Sequence, residues 1–141
     1  MPITKKQLIA KLNKDLEWEY AAAIQYIQHS AAISGPKYKA IEAELLVHAN
    51  EEIAHAISIS SQIDYLGGVP TVKVEKIETS PEGKKMLQQD LKGERNAIKS
   101  YRQRISEAES LKEYGLRRAL EDILIQEEEH ERDIATMLDE G

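Results

Sequence analysis

Glu52-Ile-Ala-His55 and Glu127-Glu-Glu-His130 each place a carboxylate and an imidazole three residues apart. On a helix, residues at that spacing leave the same face about one turn apart. A carboxylate oxygen and a ring nitrogen can then close on one metal ion without distorting the backbone. One Glu-x-x-His is common on charged helices and carries little weight. Here each is preceded by a further glutamate at the same distance: Glu19 lies 33 residues before Glu52, and Glu94 lies 33 residues before Glu127. The two sets belong to a wider internal echo with an offset of 75. Asp15, Leu16, Glu19, Tyr26, Leu45, Glu52 and His55 recur as Asp90, Leu91, Glu94, Tyr101, Leu120, Glu127 and His130. Most intervening positions differ, so the argument rests on the spacing of these residues. It suggests two helical hairpins related by an approximate two-fold, each supplying Glu plus Glu-x-x-His.

A chain with 31% charged residues places some glutamates three before a histidine by chance, and Glu51, Glu128, Glu129 and Glu131 are read as solvated. Glu19, Glu52, Glu94 and Glu127 differ because each falls on the apolar seam of its own helix. A buried carboxylate costs on the order of several kcal/mol unless it is paired or metal-bound. Two divalent ions between four carboxylates and two neutral imidazoles come close to balanced charge. Mixed carboxylate and imidazole ligands suit iron, manganese and zinc, and with no cysteine in the chain Cu(I) is excluded. Zinc is redox-silent, and either it or manganese could occupy a purified sample.

The elements that must position these residues follow from periodicity and punctuation. Thr4 can cap a first helix from about Lys5 to about Ser34, with Leu8, Leu12, Leu16, Ala23 and Ile27 as its buried stripe and Glu19 and Tyr26 on the same face. Gly35-Pro36 ends it. A second helix from about Lys37 to Leu66 carries Ile41, Leu45, His48, Glu52, His55, Ile59 and Ile63 as one seam, and Gly67-Gly68-Val69-Pro70 stops it. Thr71 to Thr79 reads as an extended crossover packed on the bundle. Ser80-Pro81-Glu82 should open a third helix running to about Ser110, with Ser80 as cap and Pro81 first. Met86, Leu87, Leu91, Glu94, Ile98, Tyr101 and Ile105 face inward. A fourth helix, from Leu111 or Lys112 to Leu138, presents Leu116, Leu120, Ile123, Glu127, His130 and Ile134. Gly115 marks a bend or a later start. Hairpin, long crossover, hairpin describes an all-α four-helix bundle with one crossover between helices 2 and 3.

The length of 141 residues indicates a single domain spanning 1–141. The net charge of −6 argues against a nucleic-acid partner. Lys5, Lys6, Lys11 and Lys14 are read as a solvated face, with DNA contact as the alternative. No stretch approaches a membrane span and no apolar leader opens the chain, so a cytoplasmic location and no membrane partner are expected. His29 has no partner at metal spacing and is read as surface or interface. Trp18 is read as interface packing, and His48 as a core or interface histidine, with an iron-transit role as the alternative.

The pattern Glu19, Glu52-x-x-His55, Glu94, Glu127-x-x-His130 resembles the ferritin-like di-iron carboxylate proteins, whose ligand scheme is the one described for that class of bundle. Between about residues 5 and 138, including Leu66-Gly-Gly-Val-Pro70, the chain is most similar to bacterioferritins. The resemblance implies that Glu52 and Glu127 bridge two metals, with Glu19 and His55 completing one site and Glu94 and His130 the other. It gives Tyr26 the catalytic part of a tyrosine that supplies an electron during oxygen or peroxide reduction, with Tyr101 as its echo. Ile53 stands where haem-binding bacterioferritins carry the methionine ligand, so no haem is expected. The sequence stops at Gly141, and a fifth helix like that of classical ferritins is not expected. Glu94-Arg-Asn-Ala97 lacks the additional glutamate of rubrerythrins.

By this resemblance the chain is a ferroxidase. The resemblance implies oxidation of Fe(II) to Fe(III) with O₂ or H₂O₂ at a di-iron centre holding two iron ions per subunit. The implied partners are Fe(II), the oxidant and further copies of the chain, at least as a homo-oligomeric dimer. Shells of 12 or 24 subunits that store iron stay open. Two alternatives are a peroxide-scavenging di-iron protein of Dps-like or rubrerythrin-like type and a non-enzymatic bundle stabilised by zinc.

Overall fold

The computed structural model describes residues 2–140, which form four long helices. Helix α1 spans Lys5–Ala32, α2 Lys39–Tyr65, α3 Gly83–Ser110 and α4 Tyr114–Glu140, with a single 3₁₀ turn at Pro36–Tyr38. α1 packs on α2, and α3 packs on α4, along most of their lengths. Pairs such as Tyr26 with Glu94 and Tyr101 with Glu19 run α1 antiparallel to α3, and His55 with Gln126 and His48 with Asp133 run α2 antiparallel to α4. The expected bundle of two hairpins joined by a crossover is the fold observed.

Helix ends show which local signals prevail. Thr4 caps α1 with a full capping box: its hydroxyl accepts from Gln7 N while Gln7 Oε1 accepts from Thr4 N. The α1–α2 turn comes two residues earlier than Ser34, with Ile33 already extended. The third helix does not start at Pro81. Ser80 Oγ accepts from Glu82 N in a turn, and α3 begins at Gly83. The fourth starts at Tyr114 because Lys112 adopts a φ of 59°, which breaks helical continuity after Leu111. Past α2 the chain turns on Gly67, at φ 92°, and a Cβ on Gly68 would lie 2.5 Å from the Ile9 side chain.

The crossover is extended and rails along α1, as expected. Asn13 takes Thr71 N and Val69 O, Tyr20 donates to Thr71 O, and Gln25 Oε1 accepts from Glu78 N. Val72 and Val74 nevertheless face solvent, while Ile77 is half-buried. Ile27 is also exposed. The buried stripe of α1 proceeds through Glu19, Ala23, Tyr26 and His29, so position 27 lies about 100° away from it. Two apolar clusters form the core. One gathers around Leu8, Leu12, Ile59, Ile63, Leu116 and Leu120, the other around Ile33, Leu45, Met86, Leu87 and Ile134. On every helix the candidate ligands fall between these clusters.

Candidate metal centre

Each helix delivers its candidate ligands at mid-length. α1 brings Glu19, α2 Glu52 and His55, α3 Glu94, and α4 Glu127 and His130, and all six side chains are buried. The structure gathers them into two quartets: Glu19, Glu52, His55 and Glu127 form one, and Glu52, Glu94, Glu127 and His130 the other. Within each quartet one ligand atom per residue lies within 4.8 Å of every other. His55 Nδ1 stands 3.5 Å from Glu19 Oε2, 3.6 Å from Glu52 Oε1 and 3.2 Å from Glu127 Oε1. His130 Nδ1 stands 3.0 Å from Glu52 Oε1, 3.3 Å from Glu94 Oε1 and 3.5 Å from Glu127 Oε1. Glu52 and Glu127 belong to both groups, so the arrangement can hold two ions that share two carboxylates.

The fit to metal shows in the unused atoms. Glu19 Oε2, Glu52 Oε1, His55 Nδ1, Glu94 Oε2, Glu127 Oε1 and His130 Nδ1 are all buried and without a hydrogen-bond partner. Buried polar atoms are paired in most folded proteins, so six orphans facing one space are a cost that cations would offset. The donor set of carboxylates and imidazoles suits iron, manganese or zinc.

Electrostatics in the metal-free chain follow from the same crowding. Burial, then the negative charges of Glu127, Glu19 and Glu94, push Glu52 well above the usual carboxylate range. Burial and the charge of Glu127 do the same to Glu94. Burial alone would raise Glu127, but the facing His130 and His55 rings prevail and hold it low. Burial would lower both histidines; the facing carboxylates outweigh it and push His55 up to about 10 and His130 up to about 11. Protons therefore neutralise this centre where cations do not.

The outer nitrogens of the two rings are held by residues read from the sequence as unimportant, or not singled out at all. His55 Nε2 lies 2.5 Å from Gln126 Oε1, and His130 Nε2 lies 3.3 Å from Glu51 Oε1. Glu51 is thus a partner of His130 and not simply solvated. Each support residue immediately precedes the shared glutamate of its own helix and serves the histidine of the opposite hairpin. The offset of 75 links Glu51 to Gln126 and was the signal that could have found them. Glu128 and Glu131 pair with Arg102 and Arg95 on the rim.

Tyr26 donates its hydroxyl hydrogen to Glu94 Oε1 at 2.7 Å. Burial and nearby carboxylates push both Tyr26 and Tyr101 well above the ordinary phenol range, keeping them protonated donors. His29 is fully buried, not at the surface: its ring bridges Asp90 Oδ2 and Glu78 O, each at 3.0 Å. Its counterpart at the offset of 75 is Arg104, which forks onto Asp15 at 2.7 and 3.0 Å. Trp18 is half-exposed. A cavity of about 490 Å³ opens between α1 and α3, and its lining includes Tyr26, Tyr101 and the four carboxylates.

Known proteins resemble this chain in sequence and in fold. The family model for the ferritin-like domain matches residues 9–141. A bacterioferritin of Brucella melitensis is 28% identical over 134 residues, covering 94% of this chain and 83% of that protein. A nutrient stress-induced DNA-binding protein of Nostoc sp. is 29% identical over 128 residues, 84% of this chain and 70% of that protein. Among solved structures, a ferritin-like di-iron carboxylate protein of Bacillus anthracis superposes with a TM-score of 0.93 at 30% identity, covering 98% of this chain and 99% of the other.

Proposed function

The chain belongs to the ferritin-like family, and from that premise we propose that it is a ferroxidase whose substrate iron binds at Glu19, Glu52, His55, Glu94, Glu127 and His130. The observation that carries this reading is the set of six orphaned buried ligand atoms, shared between two quartets through Glu52 and Glu127. Two Fe(II) ions bound there give up one electron each; with two protons, these reduce O₂ to H₂O₂ or H₂O₂ to water. The residues of the chain fix where the ions sit. Glu52 and Glu127 span both sites and Gln126 and Glu51 lock the two rings. Tyr26, hydrogen-bonded to Glu94, would supply the second electron when only one Fe(II) is bound, its proton passing to Glu94. The cavity between α1 and α3 gives the oxidant a route to the carboxylates.

Apolar side chains exposed on α1 and α2, among them Trp18, Ile24, Leu46, Ile53 and Ile57, fit burial against further copies of the chain. DNA contact is not carried over from the Nostoc protein's name. The net charge is −6, and Lys11 and Lys14 are engaged by Glu107, Glu17 and Glu75.

A rate comparison tests the function. The wild-type chain should oxidise anaerobically loaded Fe(II) far faster than free iron at the same pH, and Glu127→Ala should fall to the free-iron rate. Equal rates for variant and wild type would contradict the assignment. A much faster reaction with H₂O₂ than with O₂ would move the chain toward the peroxide-scavenging reading.

A further inference from the structure

Among the described residues, one other group of ligand-type side chains converges outside the six-residue centre. His48 on α2 is fully buried, and its Nε2 points out between two carboxylates, 3.2 Å from Asp133 Oδ2 on α4 and 3.7 Å from Glu44 Oε1 one turn earlier on α2. One ligand atom from each residue lies within 4.8 Å of the other two. The side chains of Glu44 and Asp133 are 45% and 46% exposed, so the group faces solvent on one side and the bundle interior on the other. Among the described residues, no Lys or Arg pairs with either carboxylate.

Two observations separate this triad from ordinary surface charge. His48 is fully buried and its Nε2 faces two carboxylate oxygens, so the group is anchored by a desolvated imidazole and not by surface acids alone. The two-fold echo also shows that the equivalent end of the bundle is built without such residues. At the offset of 75, Glu44, His48 and Asp133 correspond to Ala119, Ile123 and Ser58. The equivalent end is closed by a buried Ile123 beside a hollow of about 410 Å³ lined partly by Ser58 and Gln126. Aliphatic packing suffices there, whereas at the His48 end three ligand-type residues replace it together.

The triad also adjoins the buried centre. The His48 ring stacks on that of His130, with centroids 4.0 Å apart and planes at 23°. His130 Nδ1 in turn faces Glu52 and Glu94. We propose that Glu44, His48 and Asp133 form a third divalent-cation site, weaker than the buried pair, through which cations pass to the quartet containing His130. One imidazole and two carboxylates suit Fe(II), Co(II), Mn(II) or Zn(II), and water can complete the shell on the exposed side. The proposal concerns binding and transit, and it stands whether or not the chain oxidises iron.

Co(II) reports such a site through its visible absorption. Metal-stripped full-length protein titrated with Co(II) should take up two tight equivalents and one weak one. The double variant Glu44→Ala, Asp133→Ser adopts the residues of the equivalent end at two half-exposed positions. It should lose the weak equivalent, keep the tight pair, and fill that pair several-fold more slowly at substoichiometric Co(II). His48→Ile, which copies Ile123, should behave likewise. Saturation of the wild type at two equivalents, or a weak third equivalent undiminished in the double variant, would overturn the site. Unchanged filling rates would overturn the transit role. One weak equivalent in the wild type, lost in the variant, would uphold this site while contradicting the paired centre.

Discussion

Tyr101 donates its hydroxyl hydrogen to Glu19 Oε1 over 2.5 Å, so a phenol of the second hairpin fixes a carboxylate of the first. The reciprocal contact runs from Tyr26 to Glu94. Asp15 with Arg104 and Asp90 with His29 form a second reciprocal set, and His55 with Gln126 and His130 with Glu51 a third. Every contact crosses between the hairpins. The centre is therefore assembled by their docking, and neither half holds its own ligands in place.

Support of the imidazoles gives the first prediction. Gln126→Leu removes the partner of His55 Nε2 and leaves the ligand itself intact. Loss of such an outer partner typically costs about 10–100-fold in metal affinity. Competition titration with Zn(II) should show that loss at one of two sites only. Equal weakening of both sites would contradict the assignment of Gln126 to His55.

The protons held at the centre give a pH dependence. His55 and His130, pushed up to about 10 and about 11, bind protons more tightly in the metal-free fold than in the unfolded chain. Their contribution to stability is complete below about pH 6.5 and is lost as pH rises towards those values. The raised Glu52 and Glu94 act with the same sign from a lower starting pH, and the lowered Glu127 acts only under acid conditions. Metal-free protein should melt at a lower temperature near pH 9 than near pH 7 (about two units apart). Stoichiometric Zn(II) should reverse the trend, because metal competes with those protons. Scanning calorimetry of both forms checks this; a metal-free melting temperature that rises over that range would contradict it.

Arg104 and Asp15 are a buried ion pair, with side chains 7% and 4% exposed. Arg104→Met strands Asp15 and should destabilise the fold by about 3–5 kcal/mol in urea unfolding, whereas Arg104→Met combined with Asp15→Leu should recover most of the loss. A double variant no better than the single would mean that the pair contributes more than mutual compensation.

The two phenols give an electronic prediction. If Tyr26 and Tyr101 occupy equivalent positions at the centre, peroxide added to partly iron-loaded protein should produce a tyrosyl radical signal in electron paramagnetic resonance. That signal should weaken in Tyr26→Phe and vanish in Tyr26→Phe, Tyr101→Phe. Full intensity in the double variant would remove both residues from the account.

Much of this architecture was legible in the chain. The seams of α2 and α4 read correctly because their apolar and charged residues recur at steps of three and four, and the six candidate ligands lie on those seams and their counterparts in α1 and α3. Three features were not legible for physical reasons. Ile27 lies four residues after Ala23, a permissible helical step, but Tyr26 already occupies the inward direction. His29 needed Asp90, a partner 61 positions away, to make its burial intelligible. Gln126 looked like an ordinary polar residue because its role exists only when the opposite hairpin brings His55 to it. Helix starts moved by two or three residues where local turn chemistry, Ser80 with Glu82 and the positive φ of Lys112, outweighed propensity.

The paired centre itself is most directly tested by Mössbauer spectroscopy of metal-stripped protein loaded with two equivalents of isotopically enriched Fe(II) and then oxidised. Glu52 and Glu127 shared between two sites predict that nearly all the iron appears as a magnetically coupled Fe(III) pair, giving quadrupole doublets without magnetic splitting at low temperature. Magnetically split spectra of isolated high-spin Fe(III) would contradict a centre built from those six residues.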